Sequence, residues 1–203
     1  MAVVYFDGGE YRLERKSQII SWGIVIKYGD EFIELSGARL AKADQRGYHE
    51  LIAFLEMYLY LKSHGLLGID FTFFTDDECL SQAAFWLHEG NYCNKGRIRP
   101  RLAYICETMF SNVVGLYSEA LEFLKTKRIM KVKGHARSIY NLRVDFLSSL
   151  ARASHLGKHM EVTPFEDWID AGFNYYPPGP AWRIPMALVE PSTWYAPFTG
   201  PQQ

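Results

Sequence analysis

Ala2-Val3-Val4-Tyr5-Phe6-Asp7-Gly8-Gly9 stands at the head of the sequence. Its apolar run, closed by an acid, reads over residues 2–7 as a strand that is apolar on both faces. That is the pattern of a central strand covered from both sides. Residues 21–28 and 31–39 read as two further strands, and Gly29-Asp30 between them is a compact hairpin turn. Leu51, Leu55, Tyr58, Leu59 and Lys62 fall at helical spacing, which predicts a helix over 47–64 that ends at Gly65. Residues 69–75 predict a fourth strand running into Asp76-Asp77. A helix over 78–88, a Gly-containing basic loop over 91–100, a helix over 102–125 with Gly115 as its weak point, a short fifth strand over 128–133 and a last helix over 141–154 complete the pattern. Three early strands followed by alternating helices and strands imply an α/β fold, a mixed five-stranded sheet with flanking helices.

Four acids sit where these elements begin or end. Asp7 closes the first strand, Glu50 lies in the first turn of the first long helix, Asp76 closes the fourth strand, and Asp145 lies near the start of the last helix. Functional groups of α/β sheets gather at the carboxyl ends of parallel strands. If the first and fourth strands are parallel neighbours, Asp7 and Asp76 meet at one edge. Clustered carboxylates repel unless a positive charge sits among them, and hard divalent cations take such oxygen ligands. Two ions about 3.5–4 Å apart could activate a water and stabilise a leaving oxygen in phosphodiester cleavage. Singly, each acid is better explained by turn and helix-start preferences than by catalysis. The four count only as a set with their local contexts.

Those contexts resemble type 1 ribonucleases H. Tyr5-Phe6-Asp7-Gly8-Gly9 and Ser21-Trp22-Gly23-Ile24-Val25-Ile26 look like the family's first strand and hairpin, His49-Glu50-Leu51 like its helix-opening glutamate, and Phe74-Thr75-Asp76-Asp77 like its strand-end Thr-Asp-Ser. Val132-Lys133-Gly134-His135-Ala136, followed by Asn141 and Asp145, matches its most specific segment. The resemblance covers roughly residues 1–155, about one domain. It implies strand order 3-2-1-4-5 with the second strand antiparallel to its neighbours, and hydrolysis of the RNA strand of RNA–DNA hybrids. It further implies that Asp7, Glu50, Asp76 and Asp145 hold two Mg²⁺ ions, with Mn²⁺ as a substitute, and that His135 assists proton transfer or product release. Substrate contacts would come from Gly8, Gly9, Gln45, Arg46, Lys95, Arg97, Arg99, Lys133 and Asn141. The sequence departs from the family at Gly9, where a serine is usual, and at Asp77-Glu78, where Ser-Gln is common.

The bulk composition agrees with one core and adds two local features. The chain has 203 residues, 48% of them hydrophobic, and a formal net charge of -1. Nucleic-acid binding must therefore rest on patches. Lys95, Arg97, Arg99 and Arg101 form one, and Lys125, Lys127, Arg128, Lys131, Lys133 and Arg137 another. Three cysteines without a Cys-x-x-Cys pair argue against a disulfide or zinc framework and for a cytoplasmic compartment. No leader precedes the first strand and no apolar stretch is long enough for a membrane span, so no membrane role is expected. Eight of the nine prolines and nine aromatics lie between Pro164 and Pro201. This divides the chain into a catalytic domain, 1–157, and an extended Pro- and aromatic-rich C-terminal arm, 158–203. The arm is expected to wrap back over its own domain, with a homodimer or protein partner as the alternative.

Two rival readings remain at this level. One is another nuclease on the same fold, of resolvase or exonuclease type, although Gly9 occupies the position where proofreading exonucleases want a glutamate. The other is a non-catalytic hybrid- or RNA-binding module, against which the retention of all four acids and His135 argues.

Overall fold

A computed structural model describes residues 2–14, 17–42, 45, 47–88, 95–132, 138–158 and 163–170. Strands β1 (Val3–Glu14), β2 (Ser17–Tyr28) and β3 (Glu31–Lys42) come first. They are followed by α1 (His49–Ser63), β4 (Thr72–Thr75), α2 (Glu78–His88), α3 (Lys95–Thr108), α4 (Leu116–Thr126), β5 (Ile129–Lys131), α5 (Ile139–His155) and α6 (Phe165–Asp170). The strands form one sheet in the order β3-β2-β1-β4-β5. β2 runs antiparallel to β1 and β3, while β4 pairs parallel with β1 and with β5.

The sheet has two unequal layers. Val4 and Phe6 of β1 and Ile20, Trp22, Ile24 and Ile26 of β2 face a large core shared with α1, α2, α3 and α4. α1 is buried along its whole first half, from Glu50 to Tyr58, as expected of a helix enclosed by the sheet and by other helices. Glu56, buried there, is paired with Arg39 of β3. The opposite face is covered by α5, where Val25, Val144, Phe146 and Leu147 form a second, smaller core together with Tyr5 and Tyr140.

The first strand does not end at Asp7. It continues to Glu14, pairing with β2 through Gly9↔Ser21 and Tyr11↔Ile19. Tyr11, Arg12 and Leu13 are exposed, so this part has no buried apolar face to mark it as a strand. What does end is the pairing with β4, which spans only Val3↔Thr72 to Tyr5↔Phe74. Beyond Tyr5, β1 has lost its neighbour on that side, and Asp7 lies in the opening.

Two further expectations are corrected. The expected helix over 102–125 is two helices, separated by turns over residues 109–115. Residues 95–100 of the expected basic loop are the beginning of α3, so Lys95, Arg97 and Arg99 lie on a helix, while 91–94 lie outside the described residues. Gly96 and Pro100 read as breakers, but Ile98, Leu102 and Ile105 are all buried at i, i+4 and i+7. That apolar stripe outweighs the proline, which stands inside the helix and removes the backbone bond to Gly96. The first residues after Pro164 are likewise helical rather than extended: α6 sets Phe165 against Phe32 and Tyr140, with ring centroids 4.5 and 5.7 Å apart. No helix among the described residues is long and apolar enough to cross a membrane.

Candidate active site

Three of the expected acids converge at the opening beside β4. Asp7, Glu50 and Asp76 each offer one carboxylate oxygen, and these oxygens all lie within 4.8 Å of one another. Asp7 and Glu50 are buried, and Asp76 is half-buried.

Two glycines explain how residues so far apart in sequence meet. A Cβ on Gly8 would lie 2.4 Å from the His49 carbonyl carbon and 2.8 Å from the Glu50 nitrogen. Only a residue without a side chain lets the start of α1 sit directly on β1. On the other face, Gly23 is the β2 partner of Asp7, and a Cβ there would lie 2.0 Å from the Val144 oxygen. The backbone of α5 therefore rests on the sheet one residue before Asp145. Asp7 stands between the two seats.

The electrostatics follow from that crowding. Burial, then the charges of Asp76 and Asp145, pushes the Asp7 carboxyl up from its ordinary 3.8 to about 8. Burial, then Asp7, Asp77 and Asp76, holds Glu50 well above the usual carboxylate range, and a hydrogen bond from the Gly8 amide opposes this in part. Asp145 is thus close enough to act on Asp7, although it lies outside the set of three. Glu50 Oε2 is buried without a hydrogen-bond partner. Buried polar atoms are rarely left so. An all-oxygen donor set, strained by its own charge and holding an unsatisfied buried oxygen, fits a hard divalent cation such as Mg²⁺ or Mn²⁺.

Two neighbours were not legible in the sequence. His49 lies between Glu10 and Glu50, with Nδ1 3.5 Å from Glu10 Oε2 and Nε2 3.7 Å from Glu50 Oε1. Glu10 Oε2 also accepts the Gly47 N–H at 3.0 Å, tying the approach to α1 back onto β1. A pairing register, not a local motif, creates this contact. The two additional acids beside Asp76 have structural work. Asp77 caps α2 by accepting the Leu80 N–H, and Glu78 pairs with Lys131 at 2.7 Å.

The substrate-contact expectations divide. Gly8 packs under α1, and its amide serves the acids. Gly9 lies on the face covered by α5, close to Ser21, Ser148 and Arg152. Gln45 is buried, accepts the Lys42 N–H at 3.1 Å and donates to Thr108 at 3.4 Å. Its amide is therefore committed inside the protein. Asn141 is buried one turn before Asp145, its Oδ1 without a hydrogen-bond partner. Arg99 is half-buried on α3. Arg46, Lys133 and His135 lie outside the described residues, as do the side chains of Lys95 and Arg97.

A five-stranded sheet ordered 3-2-1-4-5 with only the second strand antiparallel, and acids from the first strand, first helix and fourth strand meeting where β4 ends, is a specific combination. The chain has a ribonuclease H-like fold. No family model matches the chain, and no curated protein does. Among solved structures it is similar to ribonuclease H1 from the halophilic archaeon Halobacterium salinarum NRC-1, at 19% identity and a TM-score of 0.45, covering 75% of this chain and 98% of that one. A foamy viral protease-reverse transcriptase in complex with dsDNA aligns at 20% identity and a TM-score of 0.49, covering 75% and 94%. LC11-RNase H1 in complex with an RNA/DNA hybrid aligns at 15% and 0.43, covering 75% and 99%. The ribonuclease H-like assignment is read from the sheet order and strand directions of this chain.

Proposed function

We propose that this protein is a divalent-metal-dependent endonuclease that hydrolyses the RNA strand of RNA–DNA hybrids, leaving 5′-phosphate and 3′-hydroxyl ends. The observation that carries the reading is the convergence of the Asp7, Glu50 and Asp76 oxygens within 4.8 Å on a ribonuclease H-like sheet. Residues 1–157 would be the catalytic unit and 158–203 an extension to it.

Asp7, Glu50, Asp76 and Asp145 would hold the cation. When bound, Mg²⁺ or Mn²⁺ would polarise the phosphodiester and lower the pKa of a coordinated water. The chain's own groups divide the remaining work. The Gly8 amide and His49 orient the Glu50 carboxylate from two sides. His135 would pass a proton to the leaving 3′-oxygen, a task suited to an imidazole near neutral pH. Lys95, Arg97, Arg99, Arg46 and Lys133 would neutralise backbone phosphates, which position a nucleic acid without reading its sequence. The 2′-hydroxyl distinguishes RNA from DNA.

The deciding assay incubates a labelled RNA–DNA hybrid with the full chain in Mg²⁺, in Mn²⁺ and in EDTA, beside double-stranded DNA and RNA. Metal-dependent cuts confined to the RNA strand of the hybrid are expected. Cutting in EDTA would overturn the metal mechanism. Cutting of DNA duplex alone would assign a different nuclease on this fold, and binding without cutting would leave a non-catalytic module.

A further inference from the structure

We propose that Arg152 of α5 forms a backbone-phosphate subsite of its own, beside the acids and independent of the metal. The proposal rests on the nucleic-acid reading above.

The argument starts at Gly9. A Cβ built there would lie 3.0 Å from both Ser21 Oγ and Ser148 Oγ and 3.1 Å from Arg152 Nη1. The guanidinium therefore lies across the backbone of β1, in space that any side chain at residue 9 would contest. Asp7 is two residues away on the same strand, and alternate strand residues share a face. Asp145 is seven residues away on the same helix, which puts it two turns back, about 10 Å along the axis. Arg152 and the acids are thus displaced in one direction along both elements. At about 3.4 Å of helix axis per phosphate on one strand, that distance spans about three phosphates, so one backbone can reach both the acids and Arg152.

Among the described residues the charge of Arg152 is unanswered. Its hydrogen bond among the described residues is from Nη2 to Ser149 Oγ at 3.1 Å, and no carboxylate pairs with it there. The contrast with α5's other arginine is direct. Arg143 is wholly buried and is held by Glu34 through Nε at 2.5 Å and Nη2 at 2.8 Å. A cation in the last turn of a helix is favoured by the helix dipole. That accounts for an arginine at 152 but not for its turn inward over Gly9. Ser21 and Ser148, which bond each other at 2.9 Å, form a polar floor instead of an apolar one. A planar fork of donors above such a floor suits a phosphodiester oxygen pair. Because this group attracts anions rather than metal, it acts on substrate before and without the cation.

The test is equilibrium binding of a short fluorescent RNA–DNA hybrid, in EDTA, to the full chain and to R152A and R152K, across a range of salt concentrations. Cleavage in Mg²⁺ is measured in parallel. One lost phosphate contact should weaken binding about five- to tenfold and lower the salt slope by about one. R152K should keep the slope and recover part of the affinity. G9A, which crowds Nη1 while keeping the charge, should weaken binding without changing the slope as much. A merely structural arginine would change thermal stability and leave the slope alone. An unchanged slope in R152A overturns the subsite, as does absence of any nucleic-acid binding by the wild type. Failure of the nuclease reading looks different: the wild type binds with the expected slope change in R152A but cuts nothing.

Discussion

Two groups of buried charge lie against the same sheet and have opposite characters. Arg143 and Glu34 join α5 to β3 by two parallel hydrogen bonds, with each charge answered. Asp7, Glu50 and Asp76 bring like charges together and leave an oxygen of Glu50 without a partner. The first arrangement sets opposite charges against each other across α5 and β3. The second is a cost within the bare protein, tolerable only if something else completes it. Buried like charges that shift one another strongly are a mark of functional sites rather than of stability. The comparison therefore separates what maintains this molecule from what it does, and it can be broken by exchanging the two behaviours.

The largest effect should come from D7N. A neutral amide is a poor ligand, and removing several kcal/mol of transition-state stabilisation lowers turnover by about 10²–10⁴-fold. Hybrid cleavage under saturating Mg²⁺ measures this, and the folded structure should persist by circular dichroism. Wild-type turnover in D7N would remove Asp7 from the site.

The reverse is expected for R143M. Glu34 would lose its partner, and breaking a buried pair costs about 3 kcal/mol or more. Because Glu34 keeps 23% of its side chain exposed, the lower end of that range applies. Urea denaturation should show the loss, while any folded fraction still cleaves. A variant as stable as the wild type would show that this pair is not structural.

A third expectation concerns pH. Asp7 is raised in the folded state from 3.8 to about 8. Between those values the folded chain keeps a proton that the unfolded chain has released, so rising pH destabilises the fold. The metal-free protein should lose stability steadily as pH rises from 4 to 8, by at most about 1.4 kcal/mol per pH unit from this one proton, and D7N should lack that part of the slope. Mg²⁺ should restore stability at the alkaline end. Thermal melts across pH, with and without metal, decide it, and a wild-type profile parallel to that of D7N would refute it.

The smallest effect is assigned to His135. H135A should slow cleavage about tenfold, less than a full general acid or base contributes, with hybrid affinity nearly unchanged. An identical rate from pH 6 to 9 would dismiss the role.

How much of this was legible in the sequence depended on distance along the chain. Strand order was implied by the family resemblance that the motifs around Asp7, Glu50, Asp76 and Asp145 carry, and three of these acids do meet in the fold. The place of Asp7 was not implied, because it is fixed by where β4 stops pairing rather than by where β1 ends. The helical α3 was hidden because Gly96 and Pro100 are strong local signals, whereas the stripe of Ile98, Leu102 and Ile105 gains its meaning only when a core is there to receive it. Gln45 looked like a surface reader beside a basic neighbour, but a local bond from Lys42 and a long-range one to Thr108 take it inside. The pairing of His49 with Glu10 and the seat at Gly23 depend on register and on docking, which no window of sequence contains.

The seat of α5 on Gly23 also bears on how the protein is made. Asp145 arrives on a helix from late in the chain and comes near enough to Asp7 for its charge to act there. Contacts so distant carry the greatest loop-closure cost, and they are expected to form after the local hairpin and α1. During synthesis the emerging chain would carry three acids on a sheet whose second face is still bare. On the proposed function, it could not cut nucleic acid near the ribosome until residues past 145 had emerged and docked. Gain of activity would then report the closing of the last layer, and hydrogen exchange at α5 would run in step with loss of activity.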